Sequence, residues 1–245
     1  MSELSAVDQR IDSLQIVRGN PLLQPYTSYQ VNLSGEARKG IFTANLWSSY
    51  EYRPKAIMDE KFVEGNRIIN TFDNQKSWQR LSVETTLKVK PLKDLLQVSA
   101  TGGVNHYLSD GNTYNHEYTN WFYRGDLSFV YKKVMLAFQI QSNWKWFWGE
   151  NVYGGENYHL LQAKYNMKNC SIGLGVFNPF SDNYKVVNEN WSQHATIKKA
   201  NYINESSRLV MVQFSWNLSF GRKYASAQKK LQNSDSDSGI VTNSK

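Results

Sequence analysis

One cysteine, Cys170, stands in 245 residues, so no disulfide can form within the chain and cysteine usage says little about its redox compartment. Long apolar runs are missing as well. The longest, Val134 to Phe138, falls far short of the roughly twenty residues that a membrane helix needs. The net charge of +7 is spread over turns, polar strand positions and the C-terminal segment. It forms no contiguous basic helix or stripe, which argues against nucleic acid as a partner. The 4 histidines are scattered; His106 and His116 flank one loop but lack a third ligand at metal spacing, so no metal is expected. Gly102-Gly103 is not followed by the Lys-Ser/Thr pair and helix of a phosphate cradle, and no serine, histidine and orienting amide fall into one pattern. The expectation is a protein without catalysis, metal or cofactor. An export leader is absent too, because Met1-Ser2-Glu3-Leu4-Ser5-Ala6-Val7-Asp8 has neither a basic stretch nor an apolar core. For an exported protein that points to a mature or excised fragment, or to a truncated gene.

What the chain has in abundance is alternation. From Arg208 to Gly221, Val210, Val212, Phe214, Trp216, Leu218 and Phe220 share one parity, and Met211, Gln213, Ser215, Asn217 and Ser219 the other. Successive strand side chains point to opposite faces, so one face is apolar and the other polar. Roughly ten-residue segments of this kind are what a tilted transmembrane strand requires. The pattern recurs at Phe42-Ala44-Leu46-Tyr50-Tyr52, Leu81-Val83-Thr85-Leu87-Val89, Leu127-Phe129-Tyr131 and Val134-Leu136-Phe138-Ile140, the last continuing in phase through Trp144, Trp146 and Trp148. Weaker members are Tyr29-Val31-Leu33, Leu96-Val98-Ala100, Leu161-Ala163-Tyr165 and Ile172-Leu174-Val176. The total is about nine strands. A hydrophobic content of 40% and a mean hydropathy of -0.58 suit a barrel wall, in which only every second strand residue must be apolar.

The connections alternate in length. Arg38-Lys39-Gly40, Lys90 to Asp94, Lys132-Lys133 and Asn166 to Asn169 are short and basic, whereas those near Glu64 to Arg67, Ser109 to Asn115, Gly149 to Asn157 and Asn178 to Ser206 are longer and rich in Gly, Asn and Tyr. Short periplasmic turns and long extracellular loops describe an outer-membrane barrel. The expected fold is therefore an all-β, antiparallel transmembrane β-barrel segment of about nine strands over residues 25–221. Residues 1–24 read as an extracellular loop leading into it, and residues 222–245 as a polar, disordered periplasmic tail.

The upper loops hold the candidate binding residues. Asn115, His116, Glu117, Tyr118 and Phe122, with Phe147, Glu150 and Tyr153, combine flat rings with amide and carboxylate groups, the mixture that stacks on and hydrogen-bonds a sugar or other polar ligand. Trp121, Tyr123, Trp144, Trp146 and Trp148 share the phase of the lipid-facing residues below them and read as an interfacial girdle. Phe122 and Phe147 have the opposite phase and are expected to point into the lumen.

Arg18-Gly19-Asn20-Pro21-Leu22-Leu23-Gln24-Pro25-Tyr26 resembles the GNPxLxPE segment that TonB-dependent outer-membrane receptors carry before a descending strand, with Tyr26 where an acidic residue is commoner. The final strand with Phe220 to Tyr224, and the later Asn233 to Gly239, resemble the C-terminal end of Bacteroidetes outer membrane β-barrel proteins of this type. The resemblance implies a parent barrel of 22 strands, of which this chain supplies the C-terminal part. It also implies import of a nutrient (a glycan, a peptide or a metal chelate) across the outer membrane of a Gram-negative cell. The implied partners are outer-membrane lipid, the TonB system through an N-terminal plug not visible here, and a surface lipoprotein. Two other readings stay open: a complete small barrel acting as a pore or structural protein, and a soluble glycan-binding β-sandwich.

The face assignment makes a quantitative prediction. Val212→Arg is expected to destabilise the folded protein by about 2–4 kcal/mol in a bilayer, and Gln213→Arg by much less. Denaturant titration of the two variants in lipid checks this, and equal losses would refute the assignment.

Overall fold

A computed structural model of the chain describes residues 4–5, 7–181, 184–203 and 207–218. The described residues contain no α-helix. Seventeen strands follow one another: β1 (Gln9–Arg10), β2 (Gln15–Val17), β3 (Tyr29–Lys39), β4 (Phe42–Pro54), β5 (Ile57–Glu64), β6 (Arg67–Asn74), β7 (Ser77–Val89), β8 (Leu96–Asp110) and β9 (Asn115–Tyr131), then β10 (Val134–Gln141), β11 (Trp146–Trp148), β12 (Asn151–Tyr153), β13 (Tyr158–Asn166), β14 (Cys170–Phe177), β15 (Lys185–Asn190), β16 (Ile197–Tyr202) and β17 (Leu209–Trp216).

The principal sheet has nine of these strands in the order β17-β14-β13-β10-β9-β8-β7-β4-β3. Every neighbouring pair in it is antiparallel. Among the described residues the sheet does not close: β3 and β17 are its two edges. The register brings alternating residues onto common faces. Leu81, Leu136, Leu174 and Val212 lie on one face, and Ser82, Thr101, Asn105, Asp126 and Gln213 on the other. Among the described residues no second sheet packs on the apolar face, where Leu81, Leu136 and Leu174 are exposed and Val212 is 72% exposed. That separates this wall from a soluble sandwich, whose inner faces bury one another.

Strand lengths divide the wall into two storeys. A tilted strand of roughly 9–11 residues crosses the hydrocarbon core, but β8 has 15 residues and β9 has 17. The surplus stands above the lipid at the long-loop rim. At the opposite rim the connections are tight. Gly40, between β3 and β4, has φ +57°, a left-handed conformation that glycine adopts without steric cost.

Two sequence expectations change here. The alternation of β10 stops at Gln141, so Trp146 and Trp148 do not continue its lipid-facing phase; they form β11 in another sheet. The connection after Pro54 and the long ones after Gln141 and Asn178 are themselves folded. With β1 and β2 of the N-terminal segment they make two four-stranded sheets, β1-β2-β6-β5 and β11-β12-β15-β16, whose short strands carry too few residues for a periodic signal. The expected polar tail over residues 222–245 and the expected end of the last strand at Ser219, Phe220 and Gly221 lie outside the described residues.

The rim assignment predicts protease access. A protease site inserted at Asn112-Thr113 is expected to be cut on intact cells, and one at Lys132-Lys133 only after the outer membrane is permeabilised. The reverse pattern on immunoblots would invert the topology.

Candidate functional site

The β5–β6 hairpin continues the β4–β7 pair upward across a break at Lys55, which has φ +54°. The backbone bonds Lys55 N to Lys76 O (3.1 Å) and Gln75 N to Ala56 O (2.9 Å) carry the ladder through the bend. On the far side of β6, β2 pairs in parallel. The Arg18–Tyr26 segment ties this sheet together. Asn20 donates from Nδ2 to the Phe72 carbonyl (3.2 Å) and accepts at Oδ1 from Leu22 N (2.9 Å). Asn74 and Gln24 exchange a reciprocal pair of bonds at 2.7 and 2.8 Å. Arg18 reaches both Asp8 and Glu64.

The second small sheet leans over the polar face of the upper wall. Ala56, Met58, Trp78, Tyr107, Phe147 and Val152 form the buried apolar cluster, with Tyr118, Trp146, Trp148 and Trp191 packed against it. Trp78 belongs to the wall and Phe147 to the cap; Trp78 Nε1 donates to the Phe147 carbonyl at 3.0 Å. The Arg53 guanidinium sits 5.1 Å from the ring centres of both Trp78 and Trp148, a geometry worth about 0.5–2 kcal/mol per ring depending on desolvation. Glu51, nearly buried, holds Arg53 at 2.5 Å and Arg80 at 3.0 Å. The cap is therefore fixed to the wall by an aromatic core and by the Arg53 guanidinium, which Glu51 holds beside Trp148.

The two cap sheets are joined by a polar relay. Lys61 Nζ donates to Asn190 Oδ1 (2.8 Å), Asn190 Nδ2 donates to Asn151 Oδ1 (2.6 Å), and Asn151 Nδ2 donates to Asp59. Burial pushes the Asp59 carboxyl above its ordinary value of 3.8, against the pull of its hydrogen bonds and Lys61. Burial also lowers Lys61, which Glu150 and Asp59 partly restore. A cleft of about 350 Å³ opens between the sheets, lined by Asp59, Lys61, Phe72, Tyr153, Glu189 and Lys199 among others.

Below the cap the polar face of the wall borders a second, open space of about 370 Å³. Trp47 of β4, Arg80, Ser82 and Glu84 of β7, Thr101 and Asn105 of β8, and Phe122 and Arg124 of β9 line it, with Gln141, Ser142 and Trp144 closing one side. Phe122 lies across Gly103, where a Cβ would overlap its ring. Ser82 Oγ donates to Asn105 Oδ1 at 2.6 Å. Among the described residues, the Asn105 amide nitrogen and Arg80 Nε are buried without a hydrogen-bond partner.

Of the residues expected to bind ligand, the structure brings only Phe122 to this space and Tyr153 to the cap cleft. Asn115 bonds Asp110 across the β8–β9 turn. Glu117 shares the outward face with His106, 3.9 Å away. His116 stacks on Tyr114 and lies 3.5 Å from the buried Glu150, while Tyr118 packs on Phe147. Phe147 is fully buried; the lumen-facing expectation for it falls with the phase that was carried past Gln141. Trp146 and Trp148 likewise leave the girdle for the cap, while Trp121 stays 75% exposed on the outward face of β9. Arg80, Glu84, Asn105 and Arg124 were missed. Their signal lay in the polar phase of adjacent strands, legible only once register aligns β7, β8 and β9.

The raised Asp59 carboxyl has a definite consequence. Its neutral form is favoured by folding, so the stability it contributes is full below about pH 4 and is lost as pH rises through the folded value. Asp59→Asn is expected to make the cap more resistant to urea at pH 7 and to flatten its pH dependence, as read by tryptophan fluorescence. A less stable variant at pH 7 would contradict the burial argument.

No curated protein and no solved structure matches the chain. One family model does, that of the outer membrane protein beta-barrel family, over residues 1–216. With its two-faced wall, its tight turns on one rim and its folded loops on the other, this chain is an outer-membrane protein and belongs to the outer membrane protein beta-barrel family.

Proposed function

We propose that the chain forms part of the wall and the extracellular cap of a TonB-dependent receptor that imports a polar nutrient across the outer membrane. The observation that carries this reading is the cap itself. Folded loops pack through an aromatic core on the wet face of a lipid-fitting sheet, next to a space lined by polar and aromatic groups, and this favours a ligand-capturing entrance over an open pore. The Arg18–Tyr26 segment supports it, because its similarity to the receptors' motif coincides with a structural tie between the cap and the entry to β3.

Strand parity favours a larger barrel over a closed nine-stranded one. In an antiparallel run of nine strands, β3 and β17 point the same way. Pairing them directly would give a parallel seam, unlike ordinary bacterial barrels, and leaving them open in lipid would expose unpaired N–H and C=O groups at several kcal/mol each. An odd number of further strands closes the barrel antiparallel, as the proposed total of 22 does. In this reading energy coupling comes through a plug and TonB contact of the parent protein, a surface lipoprotein docks above the cap, and the chain performs no catalysis.

Liposome swelling with the purified full-length protein tests this. The expected result is negligible free diffusion of small solutes, together with nutrient uptake in cells that a protonophore abolishes. Energy-independent flux through the reconstituted protein would overturn the receptor reading in favour of a pore.

A further inference from the structure

We infer that the short-turn rim of the wall is a binding surface for anionic phospholipid of the periplasmic leaflet, of the phosphatidylglycerol class, with Lys39, Lys93, Lys132, Lys133 and Lys168 taking the headgroup phosphates. The inference rests on the rim assignment and is independent of the receptor reading.

The first argument is charge. Four connections among the described residues form this rim, and each of them is basic. The end of β3 gives Arg38 and Lys39, the β7–β8 connection Lys90 and Lys93, the β9–β10 turn Lys132 and Lys133, and the β13–β14 turn Lys168. The one carboxylate in these connections, Asp94, lies 3.9 Å from Lys90, and Arg38 meets Glu36 of its own strand at 2.6 Å. The five other lysines are exposed and make no ion pair among the described residues. At the opposite rim the β5–β6 and β8–β9 turns hold Glu64, Arg67 and Asp110 but no lysine. Like charges gathered along one edge repel one another, and an anionic surface turns that cost into attraction.

Height on the wall then separates lipid from other anions. Phe42, Tyr131 and Tyr165 end the outward face just inside these turns, and all three are exposed. Aromatic residues so placed mark the boundary between acyl chains and headgroups. Lys39 stands opposite Phe42 on that face, and Lys132 follows Tyr131 with its Nζ 5.2 Å from the ring centre. A lysine directly beyond the aromatic belt reaches the level of the phosphates, its stem along the apolar boundary and its ammonium in the polar layer.

The same turns carry exposed apolar side chains. Ile41 lies in the first, Leu92 and Leu95 in the second and Met167 in the last. Beside a bilayer these dip towards the acyl chains while the neighbouring lysines hold the headgroups, the pairing that membrane-surface segments use. Short turns face the periplasm, where the leaflet is phospholipid; lipopolysaccharide fills the other one.

The experiment uses the full-length protein in bilayers of brominated phosphatidylcholine, whose bromines quench lipid-facing tryptophans such as Trp216, exposed at this rim. A lipid that displaces the quencher restores fluorescence. Unbrominated phosphatidylglycerol is expected to do so at about tenfold lower mole fraction than unbrominated phosphatidylcholine, an advantage that shrinks as salt is added. Replacing the five lysines by glutamine is expected to abolish it, whereas Lys185→Gln with Lys199→Gln in the cap leaves it intact. If the five-lysine variant does not insert, the salt series on the unaltered protein decides: an advantage insensitive to salt overturns the inference. So does an advantage that survives in the five-lysine variant or is lost equally in the cap variant. No advantage at all overturns it too, and leaves the rim to a soluble acidic partner. Displacement by lipid A through the same lysines, without displacement by phosphatidylglycerol, overturns it and turns this rim to the other leaflet.

Discussion

A strand in a bilayer has nowhere to put its backbone polar groups except on neighbouring strands, and this requirement organises the molecule more strongly than any buried core. The wall from β3 to β17 has one face open to lipid and the other open to water, and what holds it is the continuous antiparallel ladder. Once the ladder is set, side-chain chemistry follows by parity: apolar residues are tolerated on one face and polar ones on the other. The low mean hydropathy and the wholly exposed β17 are two consequences of the same constraint.

Above the lipid the constraint relaxes and ordinary globular physics takes over. Water can solvate loops there, so structure has to come from packing. The apolar cluster accordingly lies where wall and cap meet, around Trp78 and Phe147. Trp78 is on the polar face of β7, in phase with Arg80, Ser82 and Glu84. Its place is intelligible only because Phe147, Trp148 and Arg53 cover it. The cap packs on the wet face of the upper wall instead of extending away from it.

Much of the wall was legible beforehand because a period of two needs no knowledge of partners. Val210 to Trp216, Leu81 to Val89 and Val134 to Ile140 each announce a two-faced strand in isolation. The cap was not legible for the opposite reason. Trp146-Phe147-Trp148 and Asn151-Val152-Tyr153 are three residues each, too short to show a period, and the phase of β10 seemed to run through them. Ile57 to Asn74 offered mixed polar and apolar residues with no clean alternation, since one part of that hairpin meets the wall and another meets β2. The chosen binding residues were rich in aromatics and amides, but most of them, Tyr118, Phe147 and Glu150 among them, use those groups to hold the cap in place.

By itself the sequence determined that this chain is all-β, that its strands have a lipid face and a water face, and which rim carries the long loops. Each of these depends on neighbours one or two positions along the chain. Only the tertiary structure decided that those loops fold into two sheets, that Trp78 and Phe147 form their anchor, and that Arg80, Asn105 and Phe122 border one cavity. These relations join residues on different strands through register and packing. Register is a property of the paired sheet, absent from any single strand.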